Sequence, residues 1–254
     1  MPGSMVRHAL LALICAGLAL AAIQACAQGG PPMLTDDPGT PGDGHWEINI
    51  AALSDHSGDA WTYALPLLDL NYGVGDRLQL KFEMPWVVEH VDGHGHQSGA
   101  GNSVAGVKWR FFDAGEDGWQ MSMYPQVRSR FPVSGSPLAD GGVAYLLPFE
   151  VQRKFGDWDV NVDMGRWLRP AAEGDSWIGG VAVGRVLTKT FEVIGELHEE
   201  ADVHSGRSEL TANFGARWQL SERYTLLVSA GTDLHNSLED ESSLLTYLGL
   251  QVNL

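Results

Sequence analysis

The chain has 254 residues, of which 32 are acidic and 16 are Lys or Arg, for a net charge of −16. That balance excludes a nucleic-acid partner, whose phosphates need a basic footprint. Both cysteines, Cys15 and Cys26, fall within the first 27 residues, so the rest of the chain has no disulfide, thiolate metal site or cysteine nucleophile.

Residues 1–27 read as a secretory signal. Arg7 and His8 precede an apolar run from Ala9 to Ile23, and Ala25-Cys26-Ala27 offers a small-x-small cleavage site. The run is short for a membrane-spanning helix, and Gln24 fits lipoprotein processing at Cys26 poorly. No other stretch approaches the ~18 apolar residues that a spanning helix requires.

Residues 28–45 combine Gly and Pro with Asp36, Asp37 and Asp43, and predict turns rather than a strand or helix. Two readings are open: a loose periplasmic leader, or a plug that folds into a barrel lumen and presents Thr35, Asp36 and Asp37 to a basic wall.

From residue 46 onward the pattern changes to period-two alternation. Arg77 to Val88 shows it well, with Leu78, Leu80, Phe82, Met84, Trp86 and Val88 on one face and Arg77, Gln79, Lys81 and Glu83 on the other. Twelve such strands are predicted, at 46–54, 60–72, 77–89, 101–112, 118–131, 143–155, 158–168, 176–187, 191–200, 208–220, 224–233 and 244–254. Tight turns alternate with longer acidic loops at 55–59, 90–100, 132–142, 169–175, 201–207 and 234–243. About ten residues per strand, with turns short on one side and long on the other, predict an all-β, up-and-down transmembrane barrel with both ends on the periplasmic side. The aromatics Tyr72, Trp109, Phe111, Trp119, Phe155, Trp158, Phe191, Trp218 and Tyr224 flank the short turns, where an interfacial girdle belongs. A soluble two-sheet sandwich is the competing architecture.

The charges predicted to face inward are polarised. Strands three to five offer Arg77, Lys81, Lys108, Arg110, Arg128 and Arg130; strands six to nine offer Glu150, Asp159, Asp163, Glu192 and Glu196, with Lys154 the exception. Opposed walls of this kind would either orient a solute in a narrow passage or close the lumen with ion pairs.

The loops hold further candidates. His90, His94 and His96 beside Asp92 could hold a transition metal, although the spacing is no recognised signature. Acidic loops suit loose Ca²⁺ or Mg²⁺ bridges to lipopolysaccharide phosphates. His96-Gln97-Ser98 has the spacing of a hydrolase pair but lies in a predicted loop with no orienting third residue.

Thr35-Asp36-Asp37-Pro38-Gly39-Thr40 with Gly44-His45-Trp46-Glu47-Ile48-Asn49 resembles a family of outer-membrane barrels named for the MetA pathway of phenol degradation and commonly labelled transporters. Pro66 to Gly73, Asp76-Arg77-Leu78, Glu83-Met84-Pro85, Gly101 to Arg110 and Tyr124-Pro125-Gln126-Val127 continue the likeness. The chain departs from it at Asn102 and at Pro132-Val133-Ser134-Gly135. The resemblance implies an outer-membrane location and uptake of small, aromatic compounds, with no ligand residues to carry over.

The expectation is thus a signal (1–27), an N-terminal segment (28–45) and a barrel (46–254) in a Gram-negative outer membrane, without enzymatic activity or cofactor. Its partners would be outer-membrane lipid and lipopolysaccharide, the barrel-assembly machinery and a small solute. The runner-up is a closed structural or adhesion barrel working through its acidic loops.

Overall fold

A strand that alternates apolar and polar side chains puts one set on each face of its sheet, and the set turned outward reveals the surrounding solvent. In the computed structural model the apolar set faces out. The structure describes residues 30–93, 95–115, 117–132, 135–139, 142–170, 174–237 and 244–254; the signal read at 1–27 lies outside them.

Fourteen strands form one sheet: β1 (Trp46–Ser57), β2 (Ala60–Val74), β3 (Leu78–Val91), β4 (Gly95–Ala100), β5 (Ser103–Asp113), β6 (Trp119–Met123), β7 (Gln126–Ser129), β8 (Ala144–Phe155), β9 (Trp158–Leu168), β10 (Ser176–Thr188), β11 (Phe191–Asp202), β12 (Ser208–Gln219), β13 (Tyr224–Asn236) and β14 (Leu244–Asn253). All pairings are antiparallel, and β14 closes onto β1 in a register running from Glu47↔Asn253 to His56↔Leu244. Because β3 pairs with both β4 and β5, and β8 with both β6 and β7, each of those pairs is one broken stave, and the closed barrel has twelve staves. Closure removes the free sheet edges that hydrocarbon cannot solvate.

Both breaks have local causes. Pro125 has no N–H to give the ladder, yet its carbonyl still accepts from Val107 N at 3.1 Å. At Gly101, whose N–H donates to Pro85 O at 3.0 Å, a Cβ would sit 2.8 Å from Val87 Cγ2. Only glycine lets the wall fold that closely.

The strands outrun the predicted ones at the outer end. The expected 55–59 loop is a turn at Gly58 and Asp59, and the expected 90–100 loop is mostly strand, with β3 running to Val91 and β4 starting at Gly95. Alternation marks where a strand touches lipid, whereas the hydrogen-bond ladder continues into water with polar residues on both faces.

The burial pattern inverts that of a soluble protein. Phe214, Met164 and Leu248 are 63%, 57% and 56% exposed, whereas Lys108, Glu150 and Asp159 are 2%, 0% and 1% exposed. A soluble sandwich would bury the first set and expose the second, so that alternative is overturned. Six aromatics of the expected girdle, Trp109, Trp119, Phe155, Trp158, Trp218 and Tyr224, are exposed beside the short turns. Arg153 lies 5.0 Å from the Trp119 ring and 4.6 Å from that of Phe155, and Arg185 lies 4.8 Å from that of Trp158. Those guanidinium groups reach toward the headgroup level. Val181, at mid-height on β10 and 45% exposed, therefore belongs to the lipid face. Val181→Arg should cost about 2–4 kcal/mol in a denaturant titration in lipid, and no loss would contradict that placement.

Candidate functional site

The lumen is occupied by the chain's own N-terminal segment. Residues 30–41 cannot form regular structure, so their backbone polar groups need other partners, and the barrel wall supplies them. Leu34 N donates to Glu196 Oε2 at 3.0 Å and Thr35 N to Glu196 Oε1. Asp36 N donates to Asp163 Oδ2 at 3.3 Å. From β12, the Arg217 guanidinium donates to Gly30 O at 3.0 Å and to Pro31 O at 2.8 Å. Ser229 Oγ on β13 donates to Pro32 O at 2.9 Å. Thr35 is 0% exposed.

Lys108 is the centre of this arrangement. Its Nζ donates to Asp36 Oδ1 at 3.0 Å and to the Asp37 carbonyl, lies 3.4 Å from Glu150 Oε2 and sits 4.6 Å above the Tyr124 ring. Tyr124 is fully buried, with its hydroxyl accepting from Gln79 Nε2 at 3.3 Å. It fits because Gly106 lies beneath it, where a Cβ would come within 3.0 Å of the ring. Other glycines clear the path of the segment. A Cβ on Gly73 would stand 1.8 Å from Gly42 O, one on Gly180 2.1 Å from Thr35 Oγ1, and one on Gly215 2.4 Å from Met33 Cε. Met33 packs with Ala182 and Ile194 in a small apolar cluster.

The five expected wall carboxylates, Glu150, Asp159, Asp163, Glu192 and Glu196, all point inward and are buried. The expected basic wall is not assembled. Of its six members, Lys81 and Lys108 reach the plug level. Arg110 is at the inner rim, donating to Asp76 O at 2.5 Å and lying 3.4 Å from Asp113. Arg128 is at the outer mouth, 5.3 Å from the Trp167 ring. Arg77 is exposed in the β2–β3 turn, and Arg130 is exposed beyond the end of β7. Period-two counting assigns a face but not a height, and these four stand at the ends of their staves. Nor is the nominally basic side basic, because Lys81 is held between Asp69 at 3.2 Å and Glu83 at 3.1 Å. Arg217, absent from the expected wall, is a third deep cation, 3.6 Å from Glu192 Oε2. Its inward position on β12, next but one to Gly215, was available in the alternation. Lys154, the register partner of Asp159, is a further inward cation toward the inner end of β8, so the interior is a ring of carboxylates interspersed with cations, not two opposed walls.

Of the loop candidates, one histidine pair and its neighbouring aspartate are brought together, at the solvent-exposed outer end. His90 and His96 are register partners on β3 and β4, both exposed, and His90 lies 3.5 Å from Asp92. His94 lies outside the described residues. Among the described residues no group of three or more His, Cys, Asp or Glu is placed to hold a metal ion. His96-Gln97-Ser98 lies on β4 rather than in a loop, exposed to solvent. The outer rim is ordered by Arg169, which reaches Gly174 O and Ser176 Oγ, each at 2.7 Å, and Glu200 at 2.8 Å. In the same loop the Asp175 carboxyl is held below the usual carboxylate range by the Arg169 backbone N–H and the Arg166 guanidinium.

Three cavities follow one another down the lumen. An outer vestibule of about 250 Å³ rests on Pro31–Leu34. A polar neck of about 30 Å³ lies beside Asp36, Asp37, Lys81 and Lys108. An inner vestibule of about 320 Å³ opens between Thr40, His45, Glu47, Glu192 and Arg217. Asp36 and Lys81 line both the outer vestibule and the neck, and Thr40 and Glu47 line both the neck and the inner vestibule.

The backbone is similar to that of solved outer-membrane channels. An outer membrane channel from Pseudomonas putida F1 superposes with a TM-score of 0.71 over 89% of this chain and 99% of that one, at 12% identity. That likeness is one of fold, that of an outer-membrane β-barrel. The KdgM porin superposes at 0.56 over 81% and 98%, with 10% identity, and the NanC porin at 0.56 over 82% and 100%, with 8% identity. No family model and no curated protein matches the sequence.

Proposed function

We propose that this chain is exported after cleavage near Ala27, spans a Gram-negative outer membrane, and passively passes a small solute through a lumen narrowed by its own residues 30–41. The observation that carries this reading is the series of three cavities with shared lining residues. A structural barrel needs no vestibules, whereas a selective passage needs wide mouths around a narrow neck. The neck holds about one water, so anything larger passes only when the plug yields. That makes the plug the selective element. The likeness to the Pseudomonas putida channel and the two porins supports the reading through fold. A KdgM structure was determined in complex with oligogalacturonate, a polyanion; the carboxylate-rich interior here favours another class of solute. The apolar side of the outer vestibule suits the aromatic compounds that the phenol-pathway resemblance implies.

The decisive experiment is single-channel recording of refolded residues 28–254 in a planar bilayer. Small, discrete, cation-preferring steps are expected, because carboxylates outnumber Lys81, Lys108, Lys154 and Arg217 inside. A folded but silent barrel would favour the structural reading.

A further inference from the structure

Three strand arginines alternate with lumen-facing neighbours and so point outward: Arg166 toward the outer end, Arg153 and Arg185 toward the inner, short-turn end. A cation on that surface must find a partner or reach water. Arg166 has a carboxylate of its own, Asp175 Oδ2 at 3.0 Å. The guanidinium groups of Arg153 and Arg185 make no ion pair and no hydrogen bond among the described residues.

Aromatic rings hold these two groups instead. Arg153 lies 5.0 Å from the Trp119 ring and 4.6 Å from that of Phe155, and Arg185 lies 4.8 Å from that of Trp158. Arg153 Nε is covered, whereas its terminal nitrogens keep accessible surface. Register makes these contacts one patch. Trp119 is opposite Arg153, Phe155 opposite Trp158, and Trp158 opposite Arg185. Two strand spacings across and two residues along put the arginine α-carbons about 12 Å apart. Two such side chains can converge on a single headgroup. Their faces are occupied by the rings, and the in-plane N–H donors are left for an oxyanion, the geometry that suits a phosphodiester. The turns that join these staves carry Asp157 and Lys189, which offset one another.

We propose that this patch on β6, β8, β9 and β10 is a binding site for the phosphate headgroup of an anionic phospholipid in the periplasmic leaflet. The chain as a whole carries a net charge of −16 and repels anionic lipid, so an attraction for it must be local. At the edge of the hydrocarbon the dielectric is low, and a guanidinium–phosphate pair is stronger there than in water. Trp119 and Trp158 flank the headgroup, as indole rings do at that level. The inference rests on the membrane-spanning reading and takes its leaflet from the periplasmic position of the short turns; it does not require passage of a solute.

Counting lipids on the intact protein tests it. Refolded residues 28–254 in mild detergent are offered equimolar phosphatidylglycerol and phosphatidylcholine with identical chains, and retained lipid is identified by native mass spectrometry. A preference of about tenfold for phosphatidylglycerol is expected, the size of one charge-assisted hydrogen bond. Arg153→Leu with Arg185→Leu puts apolar side chains on a lipid-facing surface. That barrel should fold, as checked by heat-modifiable gel mobility, and lose the preference. Arg153→Lys with Arg185→Lys keeps the charge but not the planar fork, and should lose most of it. Inorganic phosphate should leave no adduct, because it lacks the chains that hold a headgroup at this depth. Absence of a preference, or its survival in the leucine pair, overturns the proposal. So does a full preference in the lysine pair, which would mean diffuse attraction, or phosphate binding equal to that of the lipid, which would mean a site for soluble anions. Because lipid is counted without a current, a silent barrel that selects phosphatidylglycerol defeats only the passage. A conducting barrel that does not select it defeats this site alone.

Discussion

Replacing Lys108 with Met should eject the plug. The substitution keeps an unbranched apolar side chain beside Tyr124 but leaves Asp36, Asp37 and Glu150 without the ammonium that now lies 3.0 Å from Asp36 and 3.4 Å from Glu150. Removing one member of a buried ion pair costs about 3–5 kcal/mol because the other charges stay buried uncompensated. None of that cost falls on the ladder, so the barrel should persist. The cheapest relief is for residues 30–41 to leave the lumen and hydrate Asp36 and Asp37. Only Cys15 and Cys26 occur in the chain, so Thr35→Cys in the barrel lacking residues 1–27 provides a single reporter. Thr35 is 0% exposed, and maleimide labelling at that position should be slow with Lys108 present and about a hundredfold or more faster in the Lys108→Met variant, since a local opening eased by about 3–5 kcal/mol is at least that much more populated. Equal labelling rates would show that Lys108 does not hold the segment.

Deleting residues 30–41 should have the largest effect on permeation. The wall left behind carries Glu150, Asp159, Asp163, Glu192 and Glu196 around the bore, with Asp69 and Glu83 beside Lys81. Arg217 loses its Gly30 and Pro31 carbonyl acceptors and keeps Glu192, 3.6 Å away. With the plug gone, the neck and both vestibules merge into one water-filled channel lined mainly by carboxylates. Conductance should rise by roughly severalfold, with clear cation preference, as expected where fixed charge is focused in a narrow low-dielectric bore. An unchanged conductance would place the constriction elsewhere. Anion preference would refute the acidic interior as the selecting element.

Much of the wall was legible in the sequence because lipid contact and strand geometry leave the same mark. Leu78, Leu80 and Trp86 alternate with Gln79, Lys81 and Glu83, and the barrel turns the first set to lipid and the second to the lumen. The Tyr124-Pro125 interruption and the upward extension of β3 into β4 were not read. A break of one residue pair leaves the alternation on either side intact, and polar residues above the bilayer leave none.

The chemistry of the interior was legible only by residue type. Five carboxylates could be placed on the inner face by counting in twos, and the Asp36-Asp37 turn could be suspected as a plug. Where the cations stand could not be read, since height along a stave depends on barrel tilt and register. Those put Arg77 at a turn and Lys108 in the middle, and bring Arg217 from β12 to the carbonyls of Gly30 and Pro31. Local sequence alone therefore determined the barrel, its lipid face and its turns, because a strand's two faces are set by the backbone period. The plug's docking, the pairing of the carboxylate ring with its cations and the outer vestibule were decided by the tertiary structure. Each joins residues from staves far apart in the chain, which only closure of the barrel brings to a common depth.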